Sequence, residues 1–391
     1  MIFYTNFIRN LTIPKLSPDE QKALIDSFPE PKDDIDRVYF HYKCRFHKAP
    51  RWKMFVLHLL GFAGIPVCLA LYILNRLRGV QPDKHDAVLI NAMLPGMTYD
   101  DKLPPELQEE FSDMHVLDLN DFPGIKTGIF SSRAFKYWLR LFLRHPLSGY
   151  VTFNCLTQLM NIERLIRIHA PKAIINYRVE STFASSMITR YCEKAGIEYI
   201  CFMHGDYLVS KERAFARFSR MYLWDEHYID IFTWARMPRE QLLVYTPRTY
   251  YLDLPELPDG PAYDLTYYCS GGDAELPTVV DTLTRLSAAG KKCKVRPHPR
   301  FSDREKICSL LEPAGVYVED ALKLPLAQSI ANTRYVAGKC STVLSQAFYA
   351  GKSVVIDDIS DVEFFESMAD YRYIMLNKPH KLLSHILQEC N

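Results

Sequence analysis

Apolar positions fall into two alternating rhythms from Asp86 onward. Short apolar runs at residues 87–90, 114–119, 173–176, 197–202 and 220–224 read as buried strands. Between them, residues 157–168 place Leu159, Ile162, Leu165 and Ile166 at helical spacing, and residues 181–195 form a second helical stretch closed by Gly196. Prolines at 247, 255, 258 and 261 then mark a linker. A second cycle follows, with strands expected at 264–269, 293–296, 316–318, 335–337 and 353–356 and helices between them. Strand and helix in this alternation imply parallel sheets with crossover helices. The expected fold class is α/β: two doubly wound, Rossmann-like domains facing across a cleft, with ligands at the carboxyl ends of the strands.

Residues 1–85 form an N-terminal helical extension in this reading, and Ser17-Pro18-Asp19-Glu20 is a helix start. Within it, residues 54–74 are apolar apart from His58 and are flanked by Arg51, Trp52, Lys53, Arg76 and Arg78. That length can cross a bilayer, but Gly61, Gly64 and Pro66 predict a kink. A kinked segment dipping into a cytoplasmic leaflet and a helix buried in the protein both fit.

Of 391 residues, 48% are hydrophobic and 24% charged, which suits two globular domains. The formal net charge is +1, which gives no global field for nucleic acid and makes any anion site local. The ten cysteines show no CxxC pairing, and residues 1–10 do not read as a secretory leader, so the expected setting is cytoplasmic and the thiols reduced. There is no GxxxxGK[ST], GxGxxG or GxSxG element, which argues against NTPase, dehydrogenase and hydrolase readings.

The chemistry-bearing residues cluster at predicted strand ends. Arg296-Pro297-His298-Pro299-Arg300 follows a strand; its prolines stiffen the backbone, and its arginines and histidine suit phosphate oxygens. Ser341 and Thr342 open a helix after Gly338-Lys339-Cys340, where free amides favour an anion. Ser270-Gly271-Gly272 permits close backbone approach to a ligand. In the first domain, His204 precedes Gly205 and Asp206, a base with a neighbouring acid, while Glu180, beside Arg178, is an alternative base. The acids and histidine of residues 220–228 lack diagnostic metal spacing.

The order His204-Gly205, Tyr245-Thr246-Pro247-Arg248, His298-Pro299 and Ser341-Thr342 resembles a group of bacterial GT-B glycosyltransferases. The group comprises CDP-glycerol glycerophosphotransferases, capsule Kdo transferases, and bacterial sialyl- and polysialyltransferases. The resemblance covers roughly residues 174–358. It implies an acceptor-side domain at 86–246, a linker at 247–262 and a donor-binding domain at 263–391, with His298, Ser341 and Thr342 on the phosphate of a cytidine nucleotide. It further implies an inverting, metal-independent transfer with the donor as co-substrate, a glycan or lipid-linked acceptor, and work at the inner-membrane surface on capsule, lipopolysaccharide or teichoic-type polymer. Two departures stand out: Glu180 is followed by Ser181 rather than by an acid and glycine, and Met203 is not aromatic. The base therefore stays open between His204 and Glu180. A UDP-sugar epimerase of the same two-domain shape and a non-catalytic scaffold are the competing readings.

Overall fold

Near-continuous apolar strands such as Ala173–Tyr177, buried along its whole length, need cover on both faces, which is the condition for a parallel sheet. The computed structural model describes residues 13–91, 103–118, 127–177, 179–270, 276–299 and 302–389. These contain two six-stranded parallel sheets. In the first, β1 (Ala87–Asn91), β2 (Met114–Asp118), β3 (Ala173–Tyr177), β4 (Glu198–Phe202), β5 (Arg220–Leu223) and β6 (Leu242–Val244) lie in the order β2-β1-β3-β4-β5-β6. In the second, β7 (Tyr263–Tyr268), β8 (Cys293–Arg296), β9 (Tyr317–Val318), β10 (Thr333–Gly338), β11 (Ser353–Ile356) and β12 (Lys381–Leu382) lie in the order β12-β11-β10-β7-β8-β9. Both are doubly wound, as the sequence predicts. Their order reverses between β1 and β3 in one and between β7 and β10 in the other, and such reversals open a crevice at the strands' carboxyl ends.

The chain divides into two compact units. The first comprises residues 1–204 and 209–246; the second comprises residues 205–208 and 247–391. One core of the first unit gathers Leu89, Ile175, Ile200 and Phe202 with Leu107 and Phe111. The core of the second gathers Leu265, Val295, Ala337 and Val355 with Leu283, Leu286 and Leu311.

The N-terminal helices pack into the first unit. Ser17 caps the helix Pro18–Asp26 in a capping box with Glu20, worth about 1 kcal/mol. The Lys211 amide donates to Gln21 Oε1 at 2.7 Å, and Lys211 Nζ to the carbonyls of Cys44 and Arg45 at 2.8 and 3.0 Å.

The apolar segment keeps its helical hydrogen bonding across the glycines and the proline. It is one helix, Arg51–Arg78, that continues through Pro66. At about 1.5 Å per residue it is roughly 42 Å long. Leu57, Gly61, Ile65, Cys68 and Tyr72 form its buried stripe. A Cβ at Gly61 would lie 2.3 Å from the Gly149 carbonyl oxygen, so only glycine lets this helix cross the helix Gly149–His169 so closely. His58 Nδ1 accepts the Tyr150 amide at 3.2 Å, which leaves Nε2–H to donate to the Tyr42 hydroxyl at 3.1 Å. The buried-helix reading is thus right for one face. The opposite face, with Trp52, Phe55, Leu59, Val67, Ile73 and Leu77, is apolar and exposed.

All nine described cysteines are free thiols, six of them buried.

Candidate active site

Parallel pairing of β3 with β4 runs through Tyr177↔Phe202, so the residues just past these strands emerge side by side. Glu180 and His204 are those residues. Glu180 is buried, with 2% of its side chain exposed, while His204 is 35% exposed. Glu180 Oε1 lies 3.7 Å from His204 Nδ1 and 3.9 Å from Arg213 Nε. Arg45 fixes the loop below by donating to the Ser181 carbonyl. A buried carboxylate within 4 Å of an exposed imidazole is a pairing that general-base chemistry uses. Arg213 went unnoticed in the sequence; its only signal was its place in the segment that leads from β4 to β5. Arg178 lies outside the described residues.

Asp206 has a different partner from the one expected. Within the second unit, its carboxylate accepts from Ser345 Oγ at 2.5 Å and from the Tyr250 hydroxyl at 3.2 Å, and its amide donates to Thr342 Oγ1 at 3.2 Å. The acid set beside His204 is Glu180. Asp206 instead ties residues 205–208 to the first turn of the helix Thr342–Tyr349. Ser345 and Tyr250 are its partners, and neither was singled out in the sequence.

Ser341 caps that helix, its hydroxyl accepting the Val343 amide at 3.3 Å, while its own amide donates to the Tyr373 hydroxyl at 3.3 Å. It stands at the carboxyl end of β10, beside the order reversal. Ser270 stands just past the end of β7, on the other side of the same reversal. Gly271, Gly272 and Arg300 lie outside the described residues. Lys339 is buried against Asp361 and over the Phe364 ring, 4.5 Å from its centroid. Burial pushes the Cys340 thiol up to about 12, which removes it as a nucleophile near neutral pH.

His298 follows β8, half-buried, its amide donating to Ser302 Oγ at 2.9 Å. Arg296 does not stand beside it as a phosphate fork. Its Nη1 meets Glu319 Oε2 at 2.9 Å, and its Nη2 donates to the carbonyls of Ala321 and Leu324 at 3.2 and 2.9 Å. Lys294 Nζ takes the other Glu319 oxygen at 2.9 Å, and Ser329 donates to Glu319 at 2.5 Å. Alternation on the strand explains this: residues 294 and 296 face the same side, which is internal. The group holds two cations against one carboxylate, and its surplus positive charge sits two residues from His298. The hydrogen bonds of Arg296 brace the loop that follows Glu319.

No family model matches the chain, and no curated protein matches it in sequence. Solved structures do align with it. A Staphylococcus aureus TarM variant bound to fondaparinux, α-GlcNAc-glycerol and UDP aligns with a TM-score of 0.37 and 11% identity, over 56% of this chain and 47% of that one. The chain therefore spans less than half of TarM. The wall teichoic acid polymerase TagF aligns with a TM-score of 0.44 and 11% identity, over 88% of this chain and 89% of that one. A UDP-N-acetylglucosamine 2-epimerase from Rickettsia bellii aligns with a TM-score of 0.43 and 10% identity, over 70% and 79%.

Proposed function

We propose that the chain is an inverting glycosyltransferase that takes a sugar or polyol from a cytidine-nucleotide donor and adds it to a surface glycan. The observation that carries this reading is His204 resting on buried Glu180 at the ends of adjacent strands in a doubly wound unit. The second unit binds the donor. His298, the partial positive charge at the start of the helix Thr342–Tyr349 and the surplus charge of the Lys294–Arg296–Glu319 group suit a nucleotide phosphate.

In the reaction, an acceptor hydroxyl gives its proton to His204, and Glu180 stabilises the imidazolium that forms. The acceptor oxygen bonds to the transferred carbon (or to phosphorus in a polyol-phosphate donor) as the bond to the nucleotide phosphate breaks. Charge grows on the leaving phosphate, where preorganised donors stabilise it. No resident metal takes part, so turnover is expected to survive chelation.

The test is thermal unfolding with CMP and CDP against UDP, GDP and ADP. A nucleotide at 100 times its dissociation constant stabilises by about 2.7 kcal/mol. Stabilisation by the cytidine nucleotides alone is expected. Stabilisation by UDP alone, with conversion of UDP-N-acetylglucosamine in the absence of acceptor, assigns an epimerase instead.

The exposed apolar stripe of Arg51–Arg78, with basic residues at both ends, fits the cytoplasmic surface of an anionic membrane. Flotation of the full chain with anionic vesicles, and none with neutral ones, is the expected outcome; no flotation with either removes this location.

A further inference from the structure

The amino edge of the first sheet carries a cluster that the proposed transfer does not use. Asp83 and His85 lie just before β1, His115 lies in β2, and His169 ends the helix that leads into β3. Each offers one ligand atom, and the four atoms lie within 4.8 Å of one another. Backbone hydrogen bonds preset the arrangement. The Asp83 amide donates to the Ile168 carbonyl at 2.8 Å, the His85 amide to the His169 carbonyl at 3.0 Å, and the Asp86 amide to the Asp113 carbonyl at 2.8 Å.

We propose that Asp83, His85, His115 and His169 form a structural site for a divalent transition metal of the zinc type. Three imidazoles and one carboxylate are a zinc donor set, and tetrahedral bonds of about 2.0–2.1 Å place ligand atoms roughly 3.3 Å apart. His85 Nε2 and Asp83 Oδ1 already stand at 3.1 Å. The other ligand atoms, up to 4.8 Å apart, would draw in by up to about 1.5 Å to reach tetrahedral spacing.

The outer contacts support the assignment. His85 Nδ1 bonds Asp113 Oδ1 at 2.9 Å, and His169 Nδ1 bonds the Asp83 carbonyl oxygen at 2.8 Å. A carboxylate or a carbonyl behind the far nitrogen fixes the tautomer and turns the Nε2 lone pair toward a metal.

The three imidazoles pack with ring centroids 4.5, 5.0 and 5.6 Å apart beside the Asp83 carboxylate. The cluster lies at the opposite edge of the sheet from Glu180 and His204, so the ion ties three segments together and takes no part in transfer.

The full chain, stripped with chelator and dialysed against zinc, tests this by metal analysis. One zinc per chain and a raised unfolding temperature are expected. His115→Ala removes a half-exposed ligand and should weaken binding by more than about 100-fold, whereas Asp113→Asn, behind His85, should cost about 10–100-fold. Cobalt in place of zinc should give tetrahedral absorption bands in the wild type and lose them in His115→Ala. Wild type that takes up no stoichiometric zinc overturns the proposal. So does uptake that is unchanged in a His85→Ala/His115→Ala double variant, which places the metal on thiols. None of these readouts depends on the transferase reading.

Discussion

The carboxyl edges of the two sheets carry polar residues of similar kinds and use them in opposite ways. At the first, His204 stays a third exposed above a buried carboxylate. At the second, side chains are committed inward. Arg296 braces Glu319, Lys339 meets Asp361, Ser345 holds Asp206, and Asp357 accepts from the Tyr267 hydroxyl at 2.6 Å. An acid–base group has to be reachable and to change charge, so it needs exposure and a partner that tolerates both states. An anion-binding edge works by staying still, because fixed amides and a capped helix start cost no reorganisation when charge appears. The comparison therefore separates a reachable polar pair on the first sheet from inward-braced side chains on the second.

The sharpest way to break that division is at His204. His204→Ala should lower transfer turnover by about 10²–10⁴-fold, the usual range for a positioned base. Glu180→Gln keeps the shape and removes the charge. Its loss should be smaller, with KM little changed and the pH–rate profile shifted, because Glu180 acts through the imidazole. Steady-state rates of nucleotide release decide it. Wild-type turnover in His204→Ala would end the base assignment.

The fold was more legible than the site, and particular residues show why. Strands such as β8 and β11 announce themselves as short buried runs beside turn residues. β6 escaped because two of its three residues are exposed and a proline run follows it. β12 escaped because it pairs through only two residues. His204 and Glu180 were visible singly as polar strand ends, but their meeting depends on the β3–β4 register, which composition does not carry. Asp206 looked like a partner for His204 because it is two residues away, yet its hydroxyl donor Ser345 is 139 positions distant. Arg296 was misplaced by reading it with its neighbour His298. Its period-2 match with Lys294, followed by Glu319 just after the next strand, was the better signal. The Asp83–His85–His115–His169 group comes from three separate elements and has no motif.

A second test asks whether Arg296 is a brace or a ligand. Arg296→Met keeps length and removes the charge, leaving Glu319 with Lys294 and the Ala321 and Leu324 carbonyls without their donor. Removing one partner of a buried ion pair destabilises by about 3 kcal/mol. Chemical denaturation should show that loss, with nucleotide affinity weakened only as far as the field weakens. Unchanged stability with nucleotide binding abolished would restore the fork role and erase the contrast between the edges.

The smallest effect separates the units by acid sensitivity. His41, fully buried in the first unit, bonds the Glu212 carbonyl through Nε2 at 2.7 Å, while its Nδ1 is buried without a hydrogen-bond partner. Burial, aided by Arg45 and opposed by the Glu212 carbonyl, drives its pKa down to about 3. The folded state therefore holds it neutral while the unfolded chain, near the ordinary 6.5, takes up a proton. Its contribution is fully present above pH 6.5 and falls as pH drops toward 3. Between pH 7 and 5 the linkage amounts to about 2 kcal/mol. Burial lowers His58 and His145 of the same unit in the same direction. Glu319 in the second unit behaves otherwise. Burial alone raises its pKa, but hydrogen bonds from Ser329, Lys294 and Arg296 outweigh it and hold the carboxyl below its ordinary 4.5. Its contribution is intact at pH 5 and is lost only as pH falls through that lowered value. Hydrogen exchange at pH 7 and 5, corrected for intrinsic rates, should show the first unit losing protection while the β7–β12 core keeps it. His41→Asn should flatten the slope, and equal losses in both units would show that the two sheets do not differ in this way.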